Sequence, residues 1–141
     1  EASDAVWVLD GETLEWSEAA PMPSPLAAGG ATTIDGVTSL GKDAVQIDYS
    51  STIAAPTSTY MSVQAYMGSS GSMYAIDTTG VVDGQLVILT PYPGHDINIY
   101  EYIGYGGNIY GSANMTENDN LAGLIYDSTL GGWMIMFSKT G

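Results

Sequence analysis

The chain has 141 residues, which suits one domain able to bury roughly two-thirds of its unfolded surface. Sixteen acidic residues stand against two basic ones, Lys42 and Lys139, for a net charge of -14; so negative a surface repels phosphates and anionic headgroups, which argues against nucleic-acid and membrane partners. Cysteine is absent and His95 is the single histidine, so disulfides, thiolate catalysis and Cys-type zinc sites fall away, along with most catalytic constellations.

No apolar run approaches the ~20 residues of a spanning helix, and a chain opening at Glu1 with no basic-headed apolar stretch is expected to be a soluble, processed product. Gly, Ser and Thr make up about a third of the residues, and tyrosine supplies ten of the aromatics. That composition favours strands and turns. No apolar stripe at helical spacing is present, so no helix longer than a turn or two is expected.

In chain order, the first strand is predicted at Ala5 to Leu9. Val8-Leu9-Asp10 with Trp16 reads as a hairpin, and Ile125-Tyr126-Asp127 with Trp133 repeats the same spacing. Three prolines in five residues, Pro21, Pro23 and Pro25, enforce extended, polyproline-like chain between Ala19 and Gly30. The expected organisation is therefore an N-terminal arm and proline-rich linker over residues 1–30, then a body over 31–141. Within the body, strands are predicted at Thr32 to Ile34, Ala44 to Tyr49, Tyr60 to Tyr66, Ser72 to Ile76 and Gln85 to Thr90. Further strands follow at Ile97 to Tyr102, Gly107 to Tyr110, Leu121 to Tyr126 and Gly132 to Ser138. This count suits an all-β fold, a β-sandwich or jelly-roll with an extended N-terminal arm. Val45, Ile47 and Tyr49 alternate with polar residues and bury one face. Leu86 to Leu89 and Trp133 to Phe137 are apolar on both faces and need cover on two sides.

Leu9-Asp10-Gly11, Trp16, Met22-Pro23, Gly29-Gly30 and Ile34-Asp35-Gly36 resemble one kelch repeat. A propeller needs several, and no second copy follows at the ~50-residue period. The second half carries another pattern. Val82-Asp83-Gly84-Gln85 leads into Leu86 to Leu89. Asp96-Ile97-Asn98-Ile99, Gly106-Gly107-Asn108-Ile109 and Met115 to Asp119 come next, then Leu124-Ile125-Tyr126-Asp127 and Gly131-Gly132-Trp133. This succession, over about Gly80 to Lys139, resembles the head domains of tailed-phage fibre and capsid-decoration proteins. The resemblance implies a small jelly-roll or sandwich with a structural role on a particle, usually as a homotrimer.

Candidate chemistry is sparse. The close acid pairs, Asp10 with Glu12 and Glu117 with Asp119, sit in predicted turns, where solvated carboxylates are the ordinary finding. His95 lies in a Pro-Gly turn and is read as exposed. Thr116 to Asn120 offers hard oxygens on a strongly acidic chain, which makes Glu117 and Asp119 the candidate ligands of a calcium ion, although no EF-hand spacing is matched. No other cofactor is expected. Tyr100, Tyr102, Tyr105 and Tyr110 suit a sugar platform, but tyrosine is also the ordinary interface residue of β assemblies, and the interface takes precedence.

Two lysines cannot guard the edges of a ten-strand protein, so edges are expected to be closed, covered or paired with neighbours. The function expected is that of a virion structural protein on the virion surface, capsid-decorating or fibre-type, without enzymatic turnover. It would be a homotrimer bound to a capsid or tail protein of the same particle. Val6, Trp7, Val8, Leu9, Trp133, Met134 and Met136 are its expected assembly interface. The alternatives are a secreted, extracellular self-assembling filament or surface-layer subunit, and a glycan-binding β module.

Overall fold

The computed structural model describes residues 6–9, 16–19, 31–34 and 37–140, with side chains from residue 40 onward. Among them the chain is all-β, with no helix. Two units divide at Gly30 and Ala31.

In the first unit β1 (Val6–Leu9) pairs antiparallel with β2 (Trp16–Ala19), Leu9 opposite Trp16. The apolar run Val6 to Leu9 is thus one strand of the hairpin that the Asp10 to Trp16 spacing indicates. The proline-rich linker lies outside the described residues, as do the side chains of Val6, Trp7, Val8 and Leu9. The second unit opens with β3 (Ala31–Ile34) and β4 (Val37–Leu40), paired antiparallel with Ile34 opposite Val37. Asp-Gly, which joins them in the sequence, is a strong two-residue hairpin signal.

The remaining strands are β5 (Lys42–Gln46), β6 (Thr52–Ile53), β7 (Tyr60–Gln64), β8 (Ser70–Met73), β9 (Ala75–Ile76) and β10 (Leu86–Pro91), followed by β11 (Asp96–Ile99), β12 (Ile109–Tyr110), β13 (Ala113–Met115), β14 (Leu121–Asp127) and β15 (Gly132–Lys139). Their first half pairs in parallel. Lys42 faces Tyr60 and Tyr60 faces Ile88 along β5, β7 and β10; Ile53 faces Ile76 between β6 and β9; Gly71 faces Ile97 between β8 and β11. A parallel neighbour requires the chain to travel round and come back. Here it returns repeatedly to the same three flanks, so successive turns of chain stack as coils in a solenoid-like arrangement. This departs from the antiparallel order of the expected sandwich. The reason is physical: alternation with period two marks a strand but is blind to the direction of its partner.

The stacking ends at Gly111, whose φ of +105° suits glycine. Beyond it the chain runs back: β13 lies antiparallel on β11, β14 antiparallel on β10, and β15 folds onto β14 with Asp127 opposite Gly132. The largest sheet has the order β12, β15, β14, β10, β7, β5. One end of the stack is therefore covered by reversed strands, while β5 is an edge strand among the described residues.

Inward side chains from different coils meet one another. Ile53, Ile76 and Ile109, all fully buried, come from three successive turns of chain, and Val63, Val87, Leu89, Ile97, Ile99, Leu124 and Trp133 complete the core. Burial of each isoleucine is worth about 2 kcal/mol. Corners are closed by side chains that imitate backbone. The Asn108 amide accepts from Ile76 N at 2.9 Å and donates to Ile76 O at 2.8 Å, while its own backbone N donates to Tyr74 O and its carbonyl accepts from Trp133 N. Asn108 thus joins the second coil, the third and the reversed hairpin.

Asn108→Ala removes both amide bonds and leaves two backbone groups of Ile76 short of partners, a loss of about 2 kcal/mol. Urea unfolding is expected to show that drop with an unchanged slope, whereas Asn114→Ala on the exposed side of β13 should leave the midpoint in place. Equal midpoints for the two variants would contradict this role.

Candidate functional site

In the loop between β13 and β14, Asn118, Asp119 and Asn120 each have a side-chain oxygen engaged by a protein partner. Asn120 is buried, and its Oδ1 accepts from the backbone N of Thr116 at 3.0 Å and of Glu117 at 3.1 Å. Asn118 Oδ1 accepts from Gly94 N at 3.2 Å, and Asp119 forms an exposed ion pair with Lys139. Among the described residues no three acidic, histidine or cysteine side chains converge on one point. Glu117 and Asp119 are thus close in sequence, but Asp119 answers a lysine.

His95 is not the exposed turn residue expected. It is half-buried, and its Nδ1 accepts from Ala65 N at 3.1 Å, which puts the ring hydrogen on Nε2. Tyr92 meets its ring edge-on at 5.3 Å. His95 therefore serves as a corner brace between coils.

The apolar strand β15 divides along its length. Trp133 is fully buried beside Tyr126 and belongs to the core of its own chain; its indole Nε1 has no hydrogen-bond partner among the described residues. Met134 and Ile135 are half-buried, whereas Met136 is 56% and Phe137 45% exposed. Phe137 faces Gly123 across the strand pair, and its ring occupies the space a Cβ there would need. Leu86, also exposed, is in register with Ile125, and Ile125 with Met134, so apolar side chains of β10, β14 and β15 share the outer face of the large sheet.

The tyrosines form a group that sequence reasoning saw only in part. Tyr74, between β8 and β9, stacks on Tyr102 with ring centroids 5.0 Å apart and planes at 27°. Tyr100 lies 6.1 Å from Tyr74, and Tyr105 lies 5.2 Å from Tyr102. Tyr110 stands elsewhere, its hydroxyl donating to Leu130 O. The loop carrying three of these rings is firmly built: Tyr100 N donates to Met73 O, Glu101 N to Ser112 Oγ, and Gly111 N to Glu101 Oε2. Gly107 leaves no room for a side chain, since a Cβ would lie 2.8 Å from Tyr102 O and 2.9 Å from Tyr74 O.

Two open grooves flank this group. One of about 590 Å³ is lined by Gln46, Asp48, Asp77, Thr78, Gly106 and Asn108, among others. The second, about 350 Å³, includes Asp48, Tyr49, Tyr66, Ser70, Ser72 and Tyr74. No family model matches the chain, and no curated protein matches it.

The corner aspartates are held in their ionised form. Hydrogen bonds from the Ser50 hydroxyl and Thr52 N keep the Asp48 carboxyl below its ordinary 3.8. Thr79 N does the same for Asp77, Ser128 N for Asp83, and the Lys139 ammonium for Asp119. The unfolded chain binds protons more readily at these positions, so their stabilisation is complete above 3.8 and is lost as pH falls through the lower folded values. Self-repulsion among sixteen acids works the other way, easing as carboxylates neutralise. Tm is expected to peak at about pH 4 to 5 and fall steeply below. In Asp48→Asn and Asp77→Asn variants the acid limb should flatten; an unchanged limb would show that these turns do not carry it.

Proposed function

We propose that this protein is a virion structural subunit, of the capsid-decorating or fibre type, that acts by packing and strand addition. The observation that carries it is the outer face of the large sheet, where Leu86, Met136 and Phe137 are exposed beside half-buried Ile88, Ile125 and Met134. Exposed apolar side chains gathered on one sheet face suit a partner surface. Parallel pairing favours stacked coils over the sandwich or jelly-roll implied by the resemblance to phage head domains, and either body would present such a face. Strand addition has a natural place at β5, an edge strand among the described residues, and others along the β1–β2 hairpin.

A second reading, a secreted filament or surface-layer subunit, draws on the same β5 edge: a stack covered at one end and, among the described residues, ending at an edge strand at the other can be extended by a further coil. In both, the subunit works on the outside of a particle or cell. No helix among the described residues is long and apolar enough to cross a membrane.

Light scattering on the purified chain is expected to give a closed homotrimer at micromolar concentration. Met136→Asp and Phe137→Asp should release monomers while each retains a cooperative thermal transition. A wild-type monomer would overturn the assembly role, and open-ended rods would favour the filament.

A further inference from the structure

The tyrosine group has features that an interface for strand addition does not require. Its four rings come from two different coils, Tyr74 from one and Tyr100, Tyr102 and Tyr105 from the next, and coil stacking alone brings them together. Tyr105 is 79% exposed, and Tyr100 and Tyr102 are also open to solvent. Interplanar angles of 27° to 44° make a shallow ridged platform. Rings enclosing a cation would instead face a common centre.

The backbone holds the platform in place before any ligand arrives. Tyr105 N and Gly107 N both donate to Tyr102 O, and Gly104 and Gly106 take positive φ, at 86° and 93°. Little ordering cost is then left for binding. The surroundings are polar. The larger groove meets the loop at Gly106 and supplies amide, hydroxyl and carboxylate groups from Gln46, Thr78, Asp48 and Asp77. The smaller groove meets the platform at Tyr74 and adds Tyr49, Tyr66, Ser70 and Ser72.

We infer that this platform and its grooves bind a neutral glycan, with pyranose rings laid on Tyr102 and Tyr105 and sugar hydroxyls directed to the flanking polar groups. A pyranose presents an apolar C–H face suited to an aromatic ring and an equatorial rim of hydroxyls suited to such acceptors and donors. The electrostatics select against the other flat or extended ligands. Both cationic side chains are engaged away from the platform, Lys42 over the Tyr60 ring at 4.9 Å and Lys139 with Asp119. Phosphorylated, sulfated and sialylated chains, and single-stranded nucleic acid, would meet acidic grooves with no lysine to receive them.

The site does not depend on the particle role and can be tested on the full chain in solution. The probes are neutral hexasaccharides of glucose, mannose and N-acetylglucosamine, with a heparin hexasaccharide as the anionic comparison. Saturation-transfer difference NMR and calorimetry are expected to detect at least one neutral probe at millimolar concentration and no binding of heparin. Tyr105→Ala and Tyr102→Ala should each weaken binding at least about tenfold, with Tm and oligomeric state unchanged, while Tyr60→Ala on the large sheet leaves it intact. The inference is overturned if no neutral probe binds, if binding survives the Tyr102→Ala, Tyr105→Ala double variant, or if heparin binds better than the neutral probes. It is overturned as well if these substitutions dissociate the oligomer without affecting sugar binding, which would make the tyrosines a protein interface.

Discussion

Parallel pairing between successive turns of chain is the constraint on which the rest of this protein depends. Once β7 lies parallel on β5 and β10 on β7, each circuit must return to the same flank, and it must turn its corners within a few residues. Those corners cannot all be made by backbone hydrogen bonds. Asp48 and Asp77 close them by accepting from their own turns, Asn108 by offering its amide as a substitute peptide, and His95 by accepting from Ala65. Coils also approach closely at Gly71, where a Cβ would lie 3.1 Å from both Ala65 and Ile47 side chains and would need them to give way. In return, inward residues of equivalent position stack, and the column of Ile53, Ile76 and Ile109 forms without any of the three being near the others in sequence.

The same constraint distributes the surface. Stacking sets Tyr74 beside Tyr102 and makes a platform from residues that no single strand carries. Reversal after Gly111 covers one end of the stack with β13, β14 and β15. Those strands bring Met136 and Phe137 to the outer face of the large sheet, while among the described residues β5 forms its opposite edge. That edge carries one of the chain's two lysines, Lys42, at its first residue, so charge of the usual guarding sign covers only its start. A net charge of -14 sets like copies of the chain to repel one another.

Much of this was legible. The positions of β7, β10, β11, β14 and β15 follow from their alternating or continuous apolar runs, and the hairpin of β14 and β15 from the spacing of Asp127 and Trp133. Strands of two residues are too short for any periodicity to register, so β6 was invisible and β9 merged with β8 in the one strand expected from Ser72 to Ile76. Direction was hidden for the same reason that strand position was clear, since alternation describes faces and says nothing about partners. The acids of the loop at Glu117 were visible as oxygens, but not that Asn118 and Asn120 use theirs to cap neighbouring backbone, nor that Asp119 answers Lys139. Tyr100, Tyr102 and Tyr105 could be picked out by their spacing, whereas Tyr74 joins them only through the fold, and Tyr110, equally plausible by sequence, turns away.

Cysteine cross-linking tests the parallel stack most directly, because the chain contains no cysteine of its own. In the structure Lys42 faces Tyr60 and Gln46 faces Gln64. Double cysteine variants at 42 with 60, and at 46 with 64, are expected to oxidise readily to intramolecular disulfides, while the pairs 42 with 64 and 46 with 60 stay reduced under the same conditions. Efficient closure of 42 with 64 and of 46 with 60, and not of the other two, would show these strands to run antiparallel and would contradict the stacked-coil account.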